Sequence, residues 1–416
     1  MAMLETLRNS MRLPGLRKRL LFTIGMLVVI RICAHIPVPG VNLDRLAEVF
    51  GAGGLFEFFD IFAGGAFSKF AIVAMGVTPY INSSIIMQLL TVVIPRLEEL
   101  QKEGEEGRKK IQQYTRYGAV VLGLVQAFGI GMALRNAGAF YNNSWTTLFV
   151  IMVSLTAGTA LVMWIGEEIT EKGIGNGISL FIFGGIITEM PAELYQIYTL
   201  LKAGQTAWYN VLAMLVISVL TIFLVIWITE GERRIPVQYS KRVVGRKMMG
   251  GYSTHIPIKI NQAGVIPVIF ASSLLSFPAT IASFVKAPWA QKLGEIFDYT
   301  QPWYTALYAL LIFGFTFFYT GMIFNPFDIA DNMRKYGGFI PGIRPGRPTA
   351  DALSRVVTRI TVVGGLFLAL VAILPNFMIQ LTGLPGFHAL GGTALLIVVG
   401  VALDVMKQIE AQLVMR

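Results

Sequence analysis

The sequence predicts an all-α membrane protein with ten transmembrane helices, and three observations support this fold class. Apolar residues make up 55% of the 416 residues and charged residues only 14%, whereas a soluble domain carries about 25% charged residues. The mean hydropathy of +0.64 is too high for a chain whose surface faces water. Long runs without any charge recur along the chain, and a spanning helix needs about 20 mostly apolar residues.

The charge-free runs give the positions of the spans. They are 70–95, 117–134, 136–166, 173–188, 203–229, 260–285, 299–327 and 360–403. The last run is long enough for two spans, because Pro and Gly residues between 375 and 392 supply a turn in its middle. Segment 20–36, interrupted only by Arg31, adds the first span and brings the predicted total to ten.

Segment 20–36 also fits a second interpretation. It follows Arg17, Lys18 and Arg19 and has a short apolar core, as a secretory signal peptide does. Nine further spans follow it, and residues 37–40 do not form a convincing small-residue cleavage site. A retained first helix is therefore the favoured interpretation.

Lys and Arg residues predict the orientation of the chain. With ten spans both termini lie on one side, and the loops and tails of that side carry 27 Lys and Arg residues against 6 on the other. The positive-inside rule then places both termini in the cytoplasm. This asymmetry explains the net charge of +10 without a nucleic-acid partner, so we expect no DNA binding.

The sequence offers no chemistry of an enzyme. Cys33 is the single cysteine, and His35, His255 and His388 lie far apart without ligand-spaced partners, so we expect no metal and no cofactor. There is no Ser-His-Asp order, no phosphate-binding loop and no paired-carboxylate site. We therefore predict that the protein is not an enzyme.

Five spans precede and five follow the boundary between 1–205 and 206–416. If the two halves share a fold, their odd number of spans forces opposite orientations, as in the inverted repeats of many transport proteins. No strong sequence identity relates the halves, so the repeat is a structural hypothesis.

Several spans are predicted to be irregular. Residues 51–65 (GAGGLFEFFDIFAGG) form a Gly-bounded aromatic segment that is too short to cross. We expect Pro79 to interrupt the second span, residues 173–177 to break the start of the fifth, and Pro267 and Pro278 to bend the seventh. Irregular backbone at membrane depth is tolerated against protein or a water-filled cavity, which favours a pathway through the protein. Ordinary kinking remains the alternative.

Two loops on the cytoplasmic side, 230–259 and 331–359, are long and basic. Alternating residues in the first predict a hairpin of 237–244 and 253–258 that turns near Gly250 and Gly251. Loops that only connect helices are usually shorter, so these lengths favour docking of a partner over a purely topological role.

Seven stretches of the sequence resemble the SecY family of protein-conducting channel subunits. They are AMGVTPYINSSIIMQLLTVV (74–93), KEGEEGRKKIQQYTRYG (102–118), GIGNGISLFIF (173–183), RRIPVQYSKR (233–242), IPIKINQAGVIPVIFASS (256–273), NPFDIADNMRKYGGFIPGIRPG (325–346) and GGTALLIVVGVALD (391–404). They cover nearly the whole chain in the family's order. The GIRPG loop and the basic hairpin favour the bacterial branch over the archaeal and eukaryotic relatives.

The resemblance implies two inverted five-helix halves around a central hourglass pore. Its constriction ring maps onto six residues: Ile81, Ile85, Ile178, Ile182, Ile269 and Ile397. Two of the pairs are spaced i,i+4 and project from one helix face. A narrow aliphatic collar blocks ions by dewetting and can widen around a sliding chain. Without the resemblance, isoleucines at this spacing would be assigned to lipid contact or packing.

The resemblance also implies a plug at about 51–65 and a lateral gate between spans 2 and 3 on one side and spans 7 and 8 on the other. The expected plug residues are Leu55, Phe56, Phe58, Phe59, Ile61, Phe62, Gly64 and Gly65. The expected gate residues are Ile86, Gln88, Thr91, Asn261, Gln262 and Leu274. Polar groups at the gate could equally be satisfied within their own helices.

The resemblance implies partners that supply the energy, because the chain has no energy-coupling chemistry of its own. These are the ribosome and the SecA ATPase on the basic loops, with SecE bracing the helices and SecG joining, and signal peptides and nascent chains as cargo. The residues expected to bind partners are Arg242, Arg246, Lys247, Arg344 and Arg347. The expected location is the bacterial cytoplasmic (inner) membrane, within the lipid bilayer.

The main alternative is a proton-coupled secondary transporter. That class needs ionisable groups deep in the helix bundle, and only Arg31 and Asp404 are candidates. A scaffold or insertase-like helper is a third possibility, which the plug-like segment and the two docking loops disfavour.

Overall fold

The structure, a computed structural model, describes most of the chain. The described residues are 13–42, 45–46, 63–136, 138–204, 206–239, 242–244, 247–249, 253–284, 292, 296–297, 301–382 and 392–414. Of the expected plug residues, only Gly64 and Gly65 are among them, and Leu55 to Phe62 lie outside the described residues.

The fold is mainly helical. The first half contains α1 (Pro14–Cys33), α2 (Thr78–Val93), α3 (Pro95–Lys102), α4 (Glu105–Asn136), α5 (Trp145–Lys172) and α6 (Gly177–Lys202). The second half contains α7 (Trp208–Glu230), α8 (Ile266–Phe284), α9 (Pro302–Ile323), α10 (Pro326–Lys335), α11 (Arg347–Thr382) and α12 (Gly392–Val414). Five short strands lie between α7 and α11: β1 (Glu232–Tyr239), β2 (Arg242–Val244), β3 (Lys247–Met249), β4 (Ser253–Lys259) and β5 (Gly338–Phe339).

Each predicted span contains one helix of the structure. Among the described residues, six helices are long and apolar enough to cross a membrane, or seven if the bent pair α2–α3 counts as one span. Helices α1, α8 and α12 do not meet this criterion, and the sequence of α1 includes four Lys and Arg residues. The chain is therefore a multi-pass helical protein, while the full count of ten spans stays a prediction.

Two prolines that were expected to bend helices instead begin them. Pro79 lies in the first turn of α2, and Pro267 is the second residue of α8. Proline fits there because the first backbone N–H groups of a helix have no intrahelical acceptor. Pro278 does lie inside α8, and Pro191 lies inside α6. The expectation that Pro79 and Pro267 weaken the second and seventh helices was wrong.

The predicted break before α6 is present. Helix α5 ends at Lys172, and the Asn176 side chain accepts hydrogen bonds from the backbone N–H groups of Ile178 and Ser179 at the start of α6. This cap satisfies donors that an apolar environment would leave unpaired. The next helix can therefore begin directly after the short turn 173–176.

Residues 63–77, just before α2, are irregular and mostly buried. The backbone N–H of Val38 donates to Phe70 and that of Ile72 donates to Ile36, which joins this stretch to the end of α1. Phe70 adopts a positive φ of 42°, and its side chain is completely buried. The run of apolar residues from 70 therefore begins as a packed, hydrogen-bonded coil and becomes helical only at Thr78.

The two long basic loops form one small sheet. Strand β1 is central and pairs antiparallel with β4 on one side and with β5 on the other. Strands β2 and β3 form a second antiparallel pair in which Val244 faces Lys247. Val244 and Lys247 are the last described pair of this ladder, and the predicted turn near Gly250 and Gly251 lies outside the described residues.

This sheet has its own hydrophobic core, in which both loops and the start of α11 take part. Val237 from β1 and Ile258 from β4 are buried against Leu353 and Val357 of α11. Met333 of α10 and Ile340, which follows β5, complete the cluster. A separate core makes the two loops one folded unit and not two independent connections.

The main core lies among the long helices and draws on both halves of the chain. It includes residues of α1, α2, α4, α5 and α6 together with residues of α8, α9, α11 and α12. Within it α4 packs on α2 and α5, and α11 packs on α9 and α12. Large apolar side chains such as Phe223, Trp227 and Leu366 are exposed on the outside of the helices, as expected for surfaces in contact with lipid.

Candidate functional site

The six predicted ring isoleucines all belong to the main core. Ile81, Ile85, Ile182, Ile269 and Ile397 are buried, and Ile178 is partly buried and packs against the same cluster. They come from α2, α6, α8 and α12, and α2 contacts α8 while α6 contacts α12. The six residues thus come from four helices and both halves, and all of them belong to or pack against the main hydrophobic core.

Close approach of two glycines positions the first ring residue of α6. A Cβ atom on Gly177 would lie 2.0 Å from the carbonyl oxygen of Gly166 in α5, so any side chain there would force the helices apart. A Cβ on Gly166 would lie 3.2 Å from the side chain of Ile178. Because both residues are glycines, the start of α6 can pack directly against α5. This close packing places Ile178 next to Gly166.

A buried polar contact joins α2 to α8. The hydroxyl of Ser273 donates a hydrogen bond to Oδ1 of Asn82 at 2.5 Å, and both residues are buried. The sequence analysis did not select either residue. The residue types alone do not predict this contact, because Ser and Asn side chains in a helix commonly form hydrogen bonds with the backbone of their own helix.

Three predicted gate residues carry buried amide oxygens. Oε1 of Gln88, Oδ1 of Asn261 and Oε1 of Gln262 have no hydrogen-bond partner among the described residues. Gln88 donates from Nε2 to Ser84, and Thr91 donates to the carbonyl of Gln88 within the same helix. Asn261 and Gln262 lie in the turn that precedes α8.

The remaining two gate residues lie on the outside of the same helices. Ile86 of α2 is 46% exposed and Leu274 of α8 is 43% exposed. The contact between α2 and α8, which the Asn82–Ser273 hydrogen bond joins, is called the α2–α8 seam below.

A charged contact lies at Gly64, one of the three described residues of the plug-like segment 51–65. Arg31 of α1 donates from Nη1 to the carbonyl of Gly64, and its Nη2 lies 3.7 Å from Oε1 of Glu189 in α6. The sequence analysis noted Arg31 inside a span but did not identify Glu189, which directly follows a charge-free run. A carboxylate at the end of an apolar run was the feature of the sequence that could have identified Glu189.

The basic loops present Arg344 on a constrained backbone. Arg344 is exposed between Gly342 and Gly346, which adopt φ values of 83° and 101°, a region that favours glycine. The hydroxyl of Thr349 donates to the carbonyl of Arg344 at 2.8 Å. Arg347 is exposed at the start of α11.

The other predicted docking residues lie at the second strand pair. Arg242 faces Met249 in the ladder and Lys247 faces Val244, whereas Arg246 lies outside the described residues. On the neighbouring strand β1, a hydrogen bond from Arg234 lowers the pKa of Glu232 and keeps that carboxylate charged. The described part of the chain holds no group of three His, Cys, Asp or Glu residues that could bind a metal.

Comparisons with known proteins agree on one family. A SecY family profile matches residues 71–406. A protein translocase subunit SecY of Halalkalibacterium halodurans is 50% identical and covers 100% of this chain and 98% of its own length. A protein of the same name from Mycobacterium tuberculosis is 46% identical with the same coverage.

Solved structures share the fold. A structure described as a protein-conducting channel covers 96% of this chain and 93% of its own chain, with a TM-score of 0.68 at 20% identity. Sec61 in the canine ribosome–channel complex covers 96% of this chain and 93% of its own, with a TM-score of 0.64 at 19% identity.

The Asn82–Ser273 bond can be tested with two neighbouring serines. Ser273→Ala leaves the Asn82 oxygen buried without its donor, which should cost about 1–3 kcal/mol and lower the melting temperature of the purified protein in detergent. Ser272→Ala is the matched control, because the hydroxyl of Ser272 donates within α8 to the carbonyl of Ile269. Equal melting temperatures for the two variants would show that the bond does not stabilise the α2–α8 contact.

Proposed function

This chain belongs to the SecY family and is a pore-forming subunit of a protein translocase, and we propose that unfolded secretory polypeptides cross the membrane through the collar of its six isoleucines. The observation that carries this proposal is that Ile81, Ile269 and Ile397, from three helices and both halves, are all buried in the main hydrophobic core. The comparisons do not support the proton-coupled transporter.

The collar would work because isoleucine side chains offer no hydrogen bonds. A narrow aliphatic constriction expels water and so blocks ions at rest. The same side chains give way to a sliding polypeptide without binding it. Contributions from both halves mean that a small separation of the halves widens the collar.

The proposed architecture is ten spans in two inverted halves, 1–205 and 206–416, around an hourglass pore in the bacterial cytoplasmic membrane. A helix in each predicted span and the excess of Lys and Arg in the loops of one side support it. Both termini then lie in the cytoplasm. Segment 51–65 is the proposed plug, and the burial of residues 63–65, with Ala63 in the main core, supports a position next to the collar.

Transmembrane segments of the cargo would leave sideways through the α2–α8 seam. Such a gate must close as a sealed contact and open as a surface that water and peptide can touch. The Asn82–Ser273 bond suits the closed state, and the buried oxygens of Gln88, Asn261 and Gln262 suit the open state because they would gain hydrogen bonds on opening.

The proposed partners dock on the folded unit made by the two basic loops. Two structural neighbours are channels bound to ribosomes, canine Sec61 and yeast Ssh1, which supports a ribosome as one partner. We propose the SecA ATPase as the other, with SecE and SecG as helical subunits of the complex. As a channel subunit, the protein is not itself an enzyme. In this proposal the ribosome and the SecA ATPase supply the energy for translocation.

The collar predicts ion leakage on polar substitution. Ile397→Asn and Ile81→Asn should keep the constriction wet, raise the resting conductance of the purified channel in planar bilayers and relax the requirement for a signal sequence. Ile165→Asn is the control, because Ile165 is equally buried in the same core but lies on α5, outside the collar. Unchanged conductance for both collar variants would remove the ring assignment.

The seam predicts that a cross-link between α2 and α8 blocks transport. In a chain lacking Cys33, cysteines at positions 86 and 274, with neighbouring pairs scanned, should join when oxidised and stop both secretion and release of signal peptides. A long flexible linker should restore both. The control joins positions 131 and 148, where a Cβ on Gly131 would lie 2.5 Å from the Leu148 side chain between α4 and α5. Transport that survives the short α2–α8 link would contradict the lateral gate.

Docking predicts a charge effect at Arg344. Arg344→Glu should reduce ATPase-driven translocation into proteoliposomes about tenfold, equal to ~1.4 kcal/mol, because a guanidinium that pairs with partner carboxylates becomes a repelling charge. Arg355→Glu is the control, since Arg355 is exposed on α11 and its Nε bonds to the carbonyl of Asp351. If both variants translocate equally well, Arg344 has no special role in docking.

A further inference from the structure

The last residues of the plug-like segment lie beside charged side chains of two helices, Arg31 of α1 and Glu189 of α6. Gly64 and Gly65 are buried and adopt φ values of 63° and 73°. Arg31 of α1 donates to the carbonyl of Gly64, while the Ser68 hydroxyl donates to the carbonyl of Gly65 at 3.1 Å. Both carbonyls of this turn therefore have side-chain donors.

Residues of α6 are in close contact with the same turn, at Gly64 and Gly65. A Cβ atom on Gly64 would lie 2.6 Å from Cα of Gly185, and one on Gly65 would lie 2.1 Å from Oε1 of Glu189. A side chain at Gly64 would push the turn away from the α6 backbone, whereas one at Gly65 would displace the Glu189 carboxylate. The two glycines thus allow backbone contact that brings the Gly64 carbonyl within reach of Arg31.

Arg31 and Glu189 link α1 to α6 where the helices do not pack tightly. A cavity of about 230 Å³ lies beside them, lined by residues of both helices such as Leu27, Phe181 and Gly184, and by Ala63. Its walls are mainly apolar. The guanidinium and the carboxylate are each 29% exposed, so water screens the ion pair only in part.

Charged residues within membrane segments are costly and usually have a functional partner. Here the Arg31 guanidinium serves two partners at once, since Nη1 holds a backbone carbonyl and Nη2 faces a carboxylate. Glu189 orients the guanidinium, and the guanidinium holds the turn. Removing either residue should therefore release Gly64.

We propose that Arg31 and Glu189 form a latch that holds the turn at Gly64 against α1 and α6 and thereby keeps the channel closed at rest. The latch rests on the proposed pore, because the turn continues into Ala66 and Phe67, which are buried in the same core as the collar isoleucines. Arg31 and Glu189 are positioning residues, and they do not contact the moving polypeptide.

The first test is a double-mutant cycle read by resting conductance in planar bilayers. Arg31→Gln and Glu189→Gln should each raise the resting conductance several-fold, and the double variant should leak no more than the worse single variant, because the pair acts as a unit. The melting temperature should change little. Additive leakage would mean that the two residues act independently, which overturns the latch.

The control for loss of an ion pair is Arg116→Gln. Arg116 of α4 bonds to Glu167 of α5 at 2.7 Å and thus also links two helices, but far along the chain from the turn. This variant should not leak. Equal leakage from Arg31→Gln and Arg116→Gln, or none from Arg31→Gln, overturns the latch. Ile81→Asn in the same assay separates the two hypotheses. Leakage from Ile81→Asn without leakage from Arg31→Gln would support the collar and contradict the latch.

A second test changes the turn itself. Gly64→Ala should leak like Arg31→Gln, because the new methyl group collides with the α6 backbone and lifts the carbonyl from Arg31. Gly204→Ala is the matched control, since Gly204 has a similar φ of 70° but open space around it. Both variants place an alanine in the left-handed region of φ, so this strain is common to them. If the resting conductance of Gly64→Ala does not rise, the turn does not keep the pore closed.

Discussion

Every backbone N–H and C=O group inside a bilayer needs a partner within the protein, and this requirement shapes each part of the fold. Helices satisfy it locally. The stretch 63–77 satisfies it in another way, by hydrogen bonds to the end of α1 and by burial in the core. Irregular backbone can therefore exist at membrane depth where a channel needs movable parts, provided that neighbouring helices supply the missing donors and acceptors.

The site combines two kinds of contact with opposite properties. The collar isoleucines pack without direction, so they can separate and close again with little dependence on geometry. The Asn82–Ser273 bond is directional, because it exists only when α2 and α8 stand in one register. The helices joined by this bond, α2 and α8, also carry three of the six predicted collar isoleucines, Ile81, Ile85 and Ile269.

Sequence reasoning identified what is local or repeated. Long apolar runs marked a helix in every predicted span, whereas the ring of isoleucines that the family resemblance selected stays a prediction. It misjudged Pro79 and Pro267, because hydropathy does not show where within an apolar run the helix begins. It missed β5, a two-residue strand whose partner β1 lies far away in sequence, and the link between Arg31 and Glu189 for the same reason. Contacts between distant residues leave no periodic signal.

The three-stranded sheet gives the basic loops a mechanical property. Strand β1 joins β5, next to Arg344, to β4, and β4 runs through Ile260 directly into the turn of Asn261 and Gln262 before α8. Ile260 is itself tied by its N–H to the carbonyl of Gly231 and packs closely against Gly364 of α11. The exposed loop that carries Arg344 is thus connected to the start of α8 by hydrogen-bonded strands and not by a free linker.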